Sequence, residues 1–120
     1  MRVRYVSVSD LGRVKTGRTP STSDKKLWGT DLPFITPGDL GADSSGRGRR
    51  GLSAAGVDQS CVVPKESVLL VGIGATVGKV VVSDTICAIN QQLHAVVGLS
   101  RLDALVLAAI MEHRVDQTRA

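Results

Sequence analysis

The chain has 120 residues, which is enough for one domain with its own core and too few for separate catalytic and substrate domains. Apolar residues make up 42% of the chain, but Phe, Tyr and Trp occur once each, so the core must consist mainly of Val, Leu, Ile and Ala. The net charge is +4, and ten of the 15 Lys and Arg residues lie in the first 50 positions, which favours an anionic partner for the N-terminal half.

The first half of the chain alternates short apolar segments with polar breaks. Loose apolar and polar alternation over residues 3–14 predicts one or two short strands that end at a turn rich in Gly and Pro. Residues 32–36, LPFIT, predict a short buried strand, and the turn after it places Asp39 where its carboxylate can cap a following helical turn. Residues 41–51, GADSSGRGRRG, are almost without apolar side chains, so burial cannot offset their ordering entropy and we expect an exposed, mobile basic loop.

The second half predicts a sheet followed by a helix. Its β-branched runs are separated by Gly, Asp or Asn and cover residues 66–73, 79–83, 85–89 and 93–99. Ser100 then begins SRLD, a helix start that resembles a capping box, and predicts a helix near 101–118. The apolar positions at helical spacing are Leu102, Leu105, Val106, Ala109 and Ile110, followed by His113. This order predicts a single α+β domain over residues 1–120, with a small mixed or antiparallel β-sheet and a C-terminal helix.

No catalytic or metal site is evident. Cys61 and Cys87 stand in apolar settings without a CxxC motif, which indicates buried free thiols, and His94 and His113 are isolated from other metal ligands. The sequence has no GxSxG nucleophile motif, no Pro-Pro-aromatic segment of an adenine methyltransferase and no converging carboxylates of a magnesium nuclease. No apolar run approaches the roughly 20 residues of a membrane span or forms a signal peptide, so we expect a cytoplasmic protein.

Residues 72–79, GIGATVGK, have the glycines and lysine of a phosphate-binding loop but not its spacing. A Walker loop needs four residues between its first Gly and the Gly-Lys pair and a hydroxyl residue afterwards, whereas here Gly74 is one residue too close and Val80 follows the lysine. The glycine pattern also fails to match the dinucleotide fingerprint. We therefore expect no stabilisation by nucleoside triphosphates in a melting assay.

Four segments taken in order resemble a known family. They are LGRVKTGRTPST at 11–22, LWGTDLPFITPGDL at 27–40, VPKESVLLVGIGATVGKVVV at 63–82 and AINQQLHAV at 88–96. This order resembles the target recognition domain of the specificity subunit of type I restriction-modification enzymes, whose members read G-x-T-P-S, a Trp followed by P-(F/W)-(I/V)-T-P-x-D-L, P-x-G-x-(V/L)-L, G-A-T-(I/V)-G-K and N-Q-Q. One departure is Glu66, which stands where the family usually has glycine.

The resemblance implies a noncatalytic domain that binds double-stranded DNA and reads one half of a bipartite target. Methyltransferase and restriction subunits would then act at that target, and S-adenosylmethionine, ATP and magnesium would belong to those partners, so no cofactor is expected in this chain. A homodimer is also compatible with the resemblance. The segment 72–79 then becomes a sheet turn whose lysine, Lys79, is free to reach a DNA phosphate.

The candidate DNA contacts fall into three further groups, each with a plainer alternative. Arg47, Arg49 and Arg50 suit phosphate binding and guanine readout, and the alternative is a solvated loop. The turn around Pro20 offers contacts to the DNA backbone or simply turn chemistry, through Arg18, Thr19, Ser21 and Thr22. Gln91 and Gln92 have amides that can bond an adenine edge or satisfy local backbone groups.

The two aromatic residues and the C-terminal helix are each compatible with two roles. Trp28 and Phe34 can stack on bases or anchor the core, and the C-terminal helix can be a packing element or a surface for a dimer or partner, with His113 expected on its inner face. The rival function is a small interaction protein, such as a decoy or inhibitor, that keeps the scaffold without reading DNA. DNA binding predicts the basic side chains on one positive face, whereas a decoy predicts that they are scattered or neutralised.

Overall fold

The structure is a computed structural model that describes residues 12–40, 50–71 and 79–119, with side chains described as far as residue 111. Within these ranges the chain forms short strands, two 3-10 turns (Lys25–Leu27 and Pro37–Leu40) and two helices. The strands are β1 (Arg13–Thr16), β2 (Trp28–Ile35), β3 (Arg50–Leu52), β4 (Cys61–Val63), β5 (Val68–Val71), β6 (Val80–Val82), β7 (Cys87–Ile89) and β8 (Leu93–Val97); the helices are α1 (Ala54–Val57) and α2 (Arg101–Arg119).

The strands form two four-stranded sheets. The first sheet has the order β1-β8-β5-β6, and all its neighbours are antiparallel. The second sheet has the order β3-β2-β7-β4, in which β2 and β7 run parallel and the other pairs are antiparallel. The predicted α+β class is confirmed, and the strands divide between two sheets instead of one.

The main core lies between the two sheets and is aliphatic, as the composition requires. Side chains of the first sheet, among them Leu69, Leu93 and Val97, pack against Ile35 and Ile89 of the second sheet, and all five are at most 1% exposed. A smaller cluster lies on the outer side of the second sheet, where Trp28 packs against Leu32, Phe34, Leu52 and Ala88.

Helix α2 covers the outer face of the first sheet. Ala104 and Leu107 are buried against Val68 and Val96, and Met111 packs beside them. The helix begins as predicted, because Ser100 Oγ accepts a hydrogen bond from the backbone N–H of Asp103 at 3.1 Å.

The residues whose spacing predicts α2 lie on its exposed side. Leu102, Leu105, Val106 and Ile110 are 47–69% exposed, so α2 carries a second apolar stripe that the sheet does not cover. We call these four residues the open stripe. The side chain of His113 lies outside the described residues, so its predicted inward position is not tested.

Two local predictions differ from the structure, and a third, the capping role of Asp39, is not tested. Strand β3 begins at Arg50, so the loop predicted near 41–51 does not extend to its last two residues; residues 41–49 lie outside the described ranges. Asp39 lies inside the 3-10 turn Pro37–Leu40, and its carboxylate accepts hydrogen bonds from the N–H of Thr36 at 2.8 Å and from the Thr36 hydroxyl at 2.9 Å; the residues that follow Leu40 lie outside the described ranges, so capping of a later helical turn stays a prediction. The buried strand predicted at 32–36 begins earlier, at Trp28, with an irregular register between Trp28 and Leu32.

Glu66 has a left-handed backbone, with φ at 67°. Its N–H donates to Ser83 O at 2.7 Å, so the conformation is fixed by the turn that leads into β5. A side chain makes this backbone region unfavourable by about 1–2 kcal/mol, and glycine removes that cost.

We therefore expect Glu66→Gly to raise the free energy of unfolding by about 1 kcal/mol. Chemical denaturation of the wild type and the variant measures the difference. Lys65→Gly is the matched control, because Lys65 is exposed in the same turn without a positive φ and should gain nothing. A Glu66→Gly variant no more stable than Lys65→Gly would contradict the argument from backbone strain.

Candidate functional site

The ends of the strands in the first sheet form one continuous row. The N–H of Gly17 donates to Leu93 O at 3.1 Å, Leu93 pairs with Val71, and the N–H of Val71 donates to Lys79 O at 3.2 Å. Gly17 and Lys79 therefore stand at opposite corners of the same sheet end, three strand spacings or about 14 Å apart.

The second sheet ends at the same place. Strands β2 and β7 are parallel and finish together at Ile35 and Ile89. The N–H of Arg18 donates to Ile89 O at 3.0 Å, which joins the chain leaving β1 to the end of β7. Arg50 pairs with Phe34, one residue before the end of β2, so it lies at this end as well.

This shared end carries most of the predicted contact residues. We call the set the polar rim, and it consists of Arg18, Thr19, Ser21, Thr22, Arg50, Lys79, Gln91 and Gln92. Arg47 and Arg49 lie outside the described residues, and so does the glycine segment 72–78 that precedes Lys79. The fold thus brings together residues from four separate parts of the sequence.

The rim cations are not neutralised by acids of the described chain. Arg18 and Arg50 are exposed and Lys79 is half-buried, and none of the three forms an ion pair with a described carboxylate. The described part of the rim therefore carries three cations at one end of the fold, while Arg47 and Arg49, which belong to the same predicted positive face, lie outside the described residues.

Gly17 allows the β1 end to approach β7 closely. It is buried, and a Cβ atom added there would lie 1.8 Å from the carbonyl oxygen of Asn90 and 2.5 Å from that of Ile89. Both obstacles are backbone atoms, which cannot rotate away as a side chain does. The position of Arg18 and Thr19 on the rim thus depends on the missing side chain at residue 17.

The hydroxyl and amide side chains of the rim bond partly to one another. The Thr19 hydroxyl donates to Gln91 Oε1, which leaves the Gln91 amide N–H groups directed elsewhere. Gln92 is held locally, because its backbone N–H donates to Asn90 Oδ1 at 3.0 Å and its Oε1 accepts from Asn90 Nδ2 at 3.3 Å. Bidentate adenine recognition needs both the oxygen and the NH₂ of a free amide, so these contacts favour the local role for Gln92.

The rim also contains a cation on an aromatic ring that sequence reasoning missed. The guanidinium carbon of Arg50 lies 3.8 Å from the centroid of the Trp28 ring. Trp28 Nε1 in turn donates to Ser21 O at 2.9 Å, and its ring meets Phe34 edge to face at 5.1 Å. Phe34 is a buried core residue, whereas Trp28 is half-buried and connects the core to the rim.

Catalytic groups do not emerge within the described residues. Burial raises the pKa of the Cys87 thiol to about 12, with smaller contributions from Asp84 and Cys61, so Cys87 stays protonated and unreactive at neutral pH. No cluster of three or more metal-binding side chains occurs in the described ranges. The described helices include none that combines the length and the apolar character needed to cross a membrane.

Comparison with known proteins gives a consistent result. Residues 2–114 match the family described as "Type I restriction modification DNA specificity domain". The chain is 35% identical over 89 residues to the type I restriction enzyme MjaIX specificity subunit of Methanocaldococcus jannaschii, a match that covers 70% of this chain and 20% of that protein. It is 30% identical over 94 residues to the type I restriction enzyme HindI specificity subunit of Haemophilus influenzae, and this match covers 76% of this chain and 20% of that protein.

Solved structures share the fold. The HsdS subunit from Thermoanaerobacter tengcongensis superposes with a TM-score of 0.71 at 24% identity, covering 91% of this chain and 27% of that one. A second solved structure, described as the structural basis of complex assembly and conformational transition of the type I R-M system, superposes with a TM-score of 0.71 at 23% identity. The superposition covers 90% of this chain and 26% of that one. The chain therefore spans about a fifth of the length of these curated relatives and about a quarter of the structures.

Proposed function

Since the chain belongs to the type I restriction modification DNA specificity domain family, we propose that it is a noncatalytic module that binds double-stranded DNA and reads one half of a bipartite target. The observation that carries the proposal is the polar rim, where Arg18, Arg50 and Lys79 share one end of the fold without an acidic partner among the described residues. Arginine and lysine placed in this way neutralise phosphates, and each phosphate contact steepens the salt dependence of binding.

Different residues of the polar rim are proposed to contact different parts of the DNA. Lys79 stands at one corner of the first sheet and Arg18 at the other, so the two can engage phosphates about 14 Å apart across a groove. Arg50, the amide N–H groups of Gln91 and the hydroxyls of Ser21 and Thr22 are proposed to supply hydrogen-bonding groups for base edges or sugars. Arg47 and Arg49, which precede Arg50 in sequence, are proposed to extend the same cationic surface.

The chemistry of methylation and cleavage is proposed to belong to other polypeptides. Methyltransferase and restriction subunits would bind S-adenosylmethionine, ATP and magnesium, and this chain would place them on the DNA in the cytoplasm. The open stripe of α2 supports assembly, because four exposed large apolar side chains on one helix are typical of a surface that another protein covers. The methyltransferase subunit or a second copy of the chain is the proposed occupant.

Selection of randomised duplex DNA at two salt concentrations tests the function. We expect enrichment of a short motif of about three to five base pairs, with weaker recovery at the higher salt concentration. Salt-sensitive recovery without a motif would show backbone attraction alone and would contradict sequence reading. No recovery at low salt would contradict DNA binding altogether.

A further inference from the structure

The guanidinium of Arg50 stacks on Trp28 and has no further partner among the described residues. Its central carbon lies 3.8 Å from the Trp28 ring centroid, and the described residues offer it no hydrogen-bonding or ionic partner. Stacking uses the flat face of a guanidinium and leaves its edge, which carries five N–H donors, available to a ligand. Arg50 therefore presents a planar donor edge to the solvent side of the rim.

The Trp28 ring is itself fixed on two sides. Its indole N–H donates to Ser21 O at 2.9 Å, and its ring contacts the buried Phe34 at 5.1 Å with an angle of 88° between the ring planes. The irregular register of β2, in which both Trp28 and Leu32 pair with Leu52, places the ring beside β3. The fold therefore holds the ring on which the Arg50 guanidinium lies, and the stack, worth about 0.5–1 kcal/mol at an exposed site, favours one orientation of the guanidinium.

A fixed donor edge matches one base edge better than the others. Guanine presents two neighbouring acceptors, O6 and N7, in the major groove, which a guanidinium fork contacts in its plane. Adenine presents one acceptor beside an NH₂ donor at the same place, so a rigid pair of donors meets a repulsive group. A phosphate needs only a nearby cation, for which no stacking platform is required.

We propose that Arg50 is a specificity-determining residue that reads a guanine in the major groove, and that Trp28 is the positioning residue that orients it. The inference rests on the proposed DNA-binding function and adds the base that is read and the residue pair that reads it. Ser21 contributes to the same arrangement, because its carbonyl oxygen accepts the hydrogen bond from the indole N–H of Trp28.

The experiment compares base preference among full-length variants by selection from randomised duplex DNA. The wild type should enrich a motif that contains guanine. Arg50→Lys keeps the charge but loses the planar fork, so we expect the salt dependence to persist while the preference for guanine at one position falls by about 5- to 150-fold. Arg13→Lys, which changes an exposed arginine at the far end of β1 and outside the polar rim, should leave that preference unchanged.

Trp28 is tested by Trp28→Leu, with Trp28→Phe as the conservative variant. We expect Trp28→Leu to reduce the same guanine preference without changing the net charge, and Trp28→Phe to restore much of it because an aromatic face remains under Arg50. Thermal unfolding establishes whether each variant is folded, and Arg50→Lys decides the question if Trp28→Leu does not fold.

The outcomes separate the inference from the function beneath it. Failure of the wild type to bind DNA overturns both. A wild-type motif without guanine, or a guanine preference that Arg50→Lys retains in full, overturns the inference and leaves the DNA-binding function standing. Loss of guanine preference in both Arg50→Lys and Arg13→Lys also overturns it, since the effect would not depend on the stacked residue.

Discussion

Replacing Arg18, Arg50 and Lys79 together by glutamine is expected to lower the affinity for double-stranded DNA by about 100-fold at moderate salt. An exposed ion pair contributes up to about 1 kcal/mol, and three such losses sum to about two orders of magnitude. The slope of the logarithm of the association constant against the logarithm of salt concentration should fall in magnitude by about 1.8, or about 0.9 for each of the two phosphate contacts, those of Arg18 and Lys79, that are removed. Fluorescence anisotropy titrations of a labelled duplex at several salt concentrations measure both quantities.

The chain offers a control of the same composition at the other end of the first sheet. Arg13 pairs with Val97 at the far end of β1, Lys65 lies in the turn before β5, and Arg101 begins α2; all three are exposed. Arg13→Gln, Lys65→Gln and Arg101→Gln together remove two arginines and one lysine, as the rim variant does. Equal losses of affinity in the two triple variants would show that net charge, and not the polar rim, governs binding.

Gly17→Ala is expected to destabilise the protein by about 1–3 kcal/mol or more and to disturb the rim. The new Cβ would lie 1.8 Å from Asn90 O, so the end of β1 must move away from β7. That movement breaks the hydrogen bond from Arg18 N to Ile89 O and separates Thr19 from Gln91. Chemical denaturation measures the loss of stability, and duplex titration measures the accompanying loss of affinity.

Gly38→Ala provides the comparison for this variant. Gly38 is exposed in the 3-10 turn Pro37–Leu40, and an added Cβ would meet nothing closer than Thr36 Oγ1 at 3.9 Å. It should therefore change the free energy of unfolding by less than about 0.5 kcal/mol. A Gly17→Ala protein as stable as Gly38→Ala would mean that the β1 end tolerates displacement and does not set the rim.

The strands of the second half are predictable because their sequences are β-branched and bounded by polar breaks. Strands β5, β6, β7 and β8 all fall inside the predicted runs. Strand β4 is harder to predict, since its three residues, CVV, become a strand only by pairing with β7. The residues of β3 include Arg50 and Gly51, which are poor strand formers, and they are extended because β2 supplies the pairing partner.

Helix α2 shows a different limit of sequence reasoning. Its sequence contains two apolar stripes, one with the larger residues Leu102, Leu105, Val106 and Ile110 and one with Ala104, Leu107, Ala108 and Met111. The first is more apolar, but the second is buried, because small alanines allow the helix to lie close to β5 and β6. Periodicity predicts the helix and cannot choose between two stripes of the same period.

The types of residue on the polar rim were predictable, but their contacts were not. Thr19 and Gln91 are 72 positions apart and meet only because β1 pairs with β8. The stack of Arg50 on Trp28 likewise joins residues whose sequence spacing follows no motif, and it depends on the irregular register of β2. Such contacts are set by topology, which short-range patterns do not encode.

The uncovered flank of α2 has a practical consequence for work with the chain alone. The isolated polypeptide exposes a contiguous apolar surface to water, formed by Leu102, Leu105, Val106 and Ile110. When the chain is purified alone, we expect it to self-associate as its concentration rises. Co-expression with a protein that binds this surface should suppress the self-association.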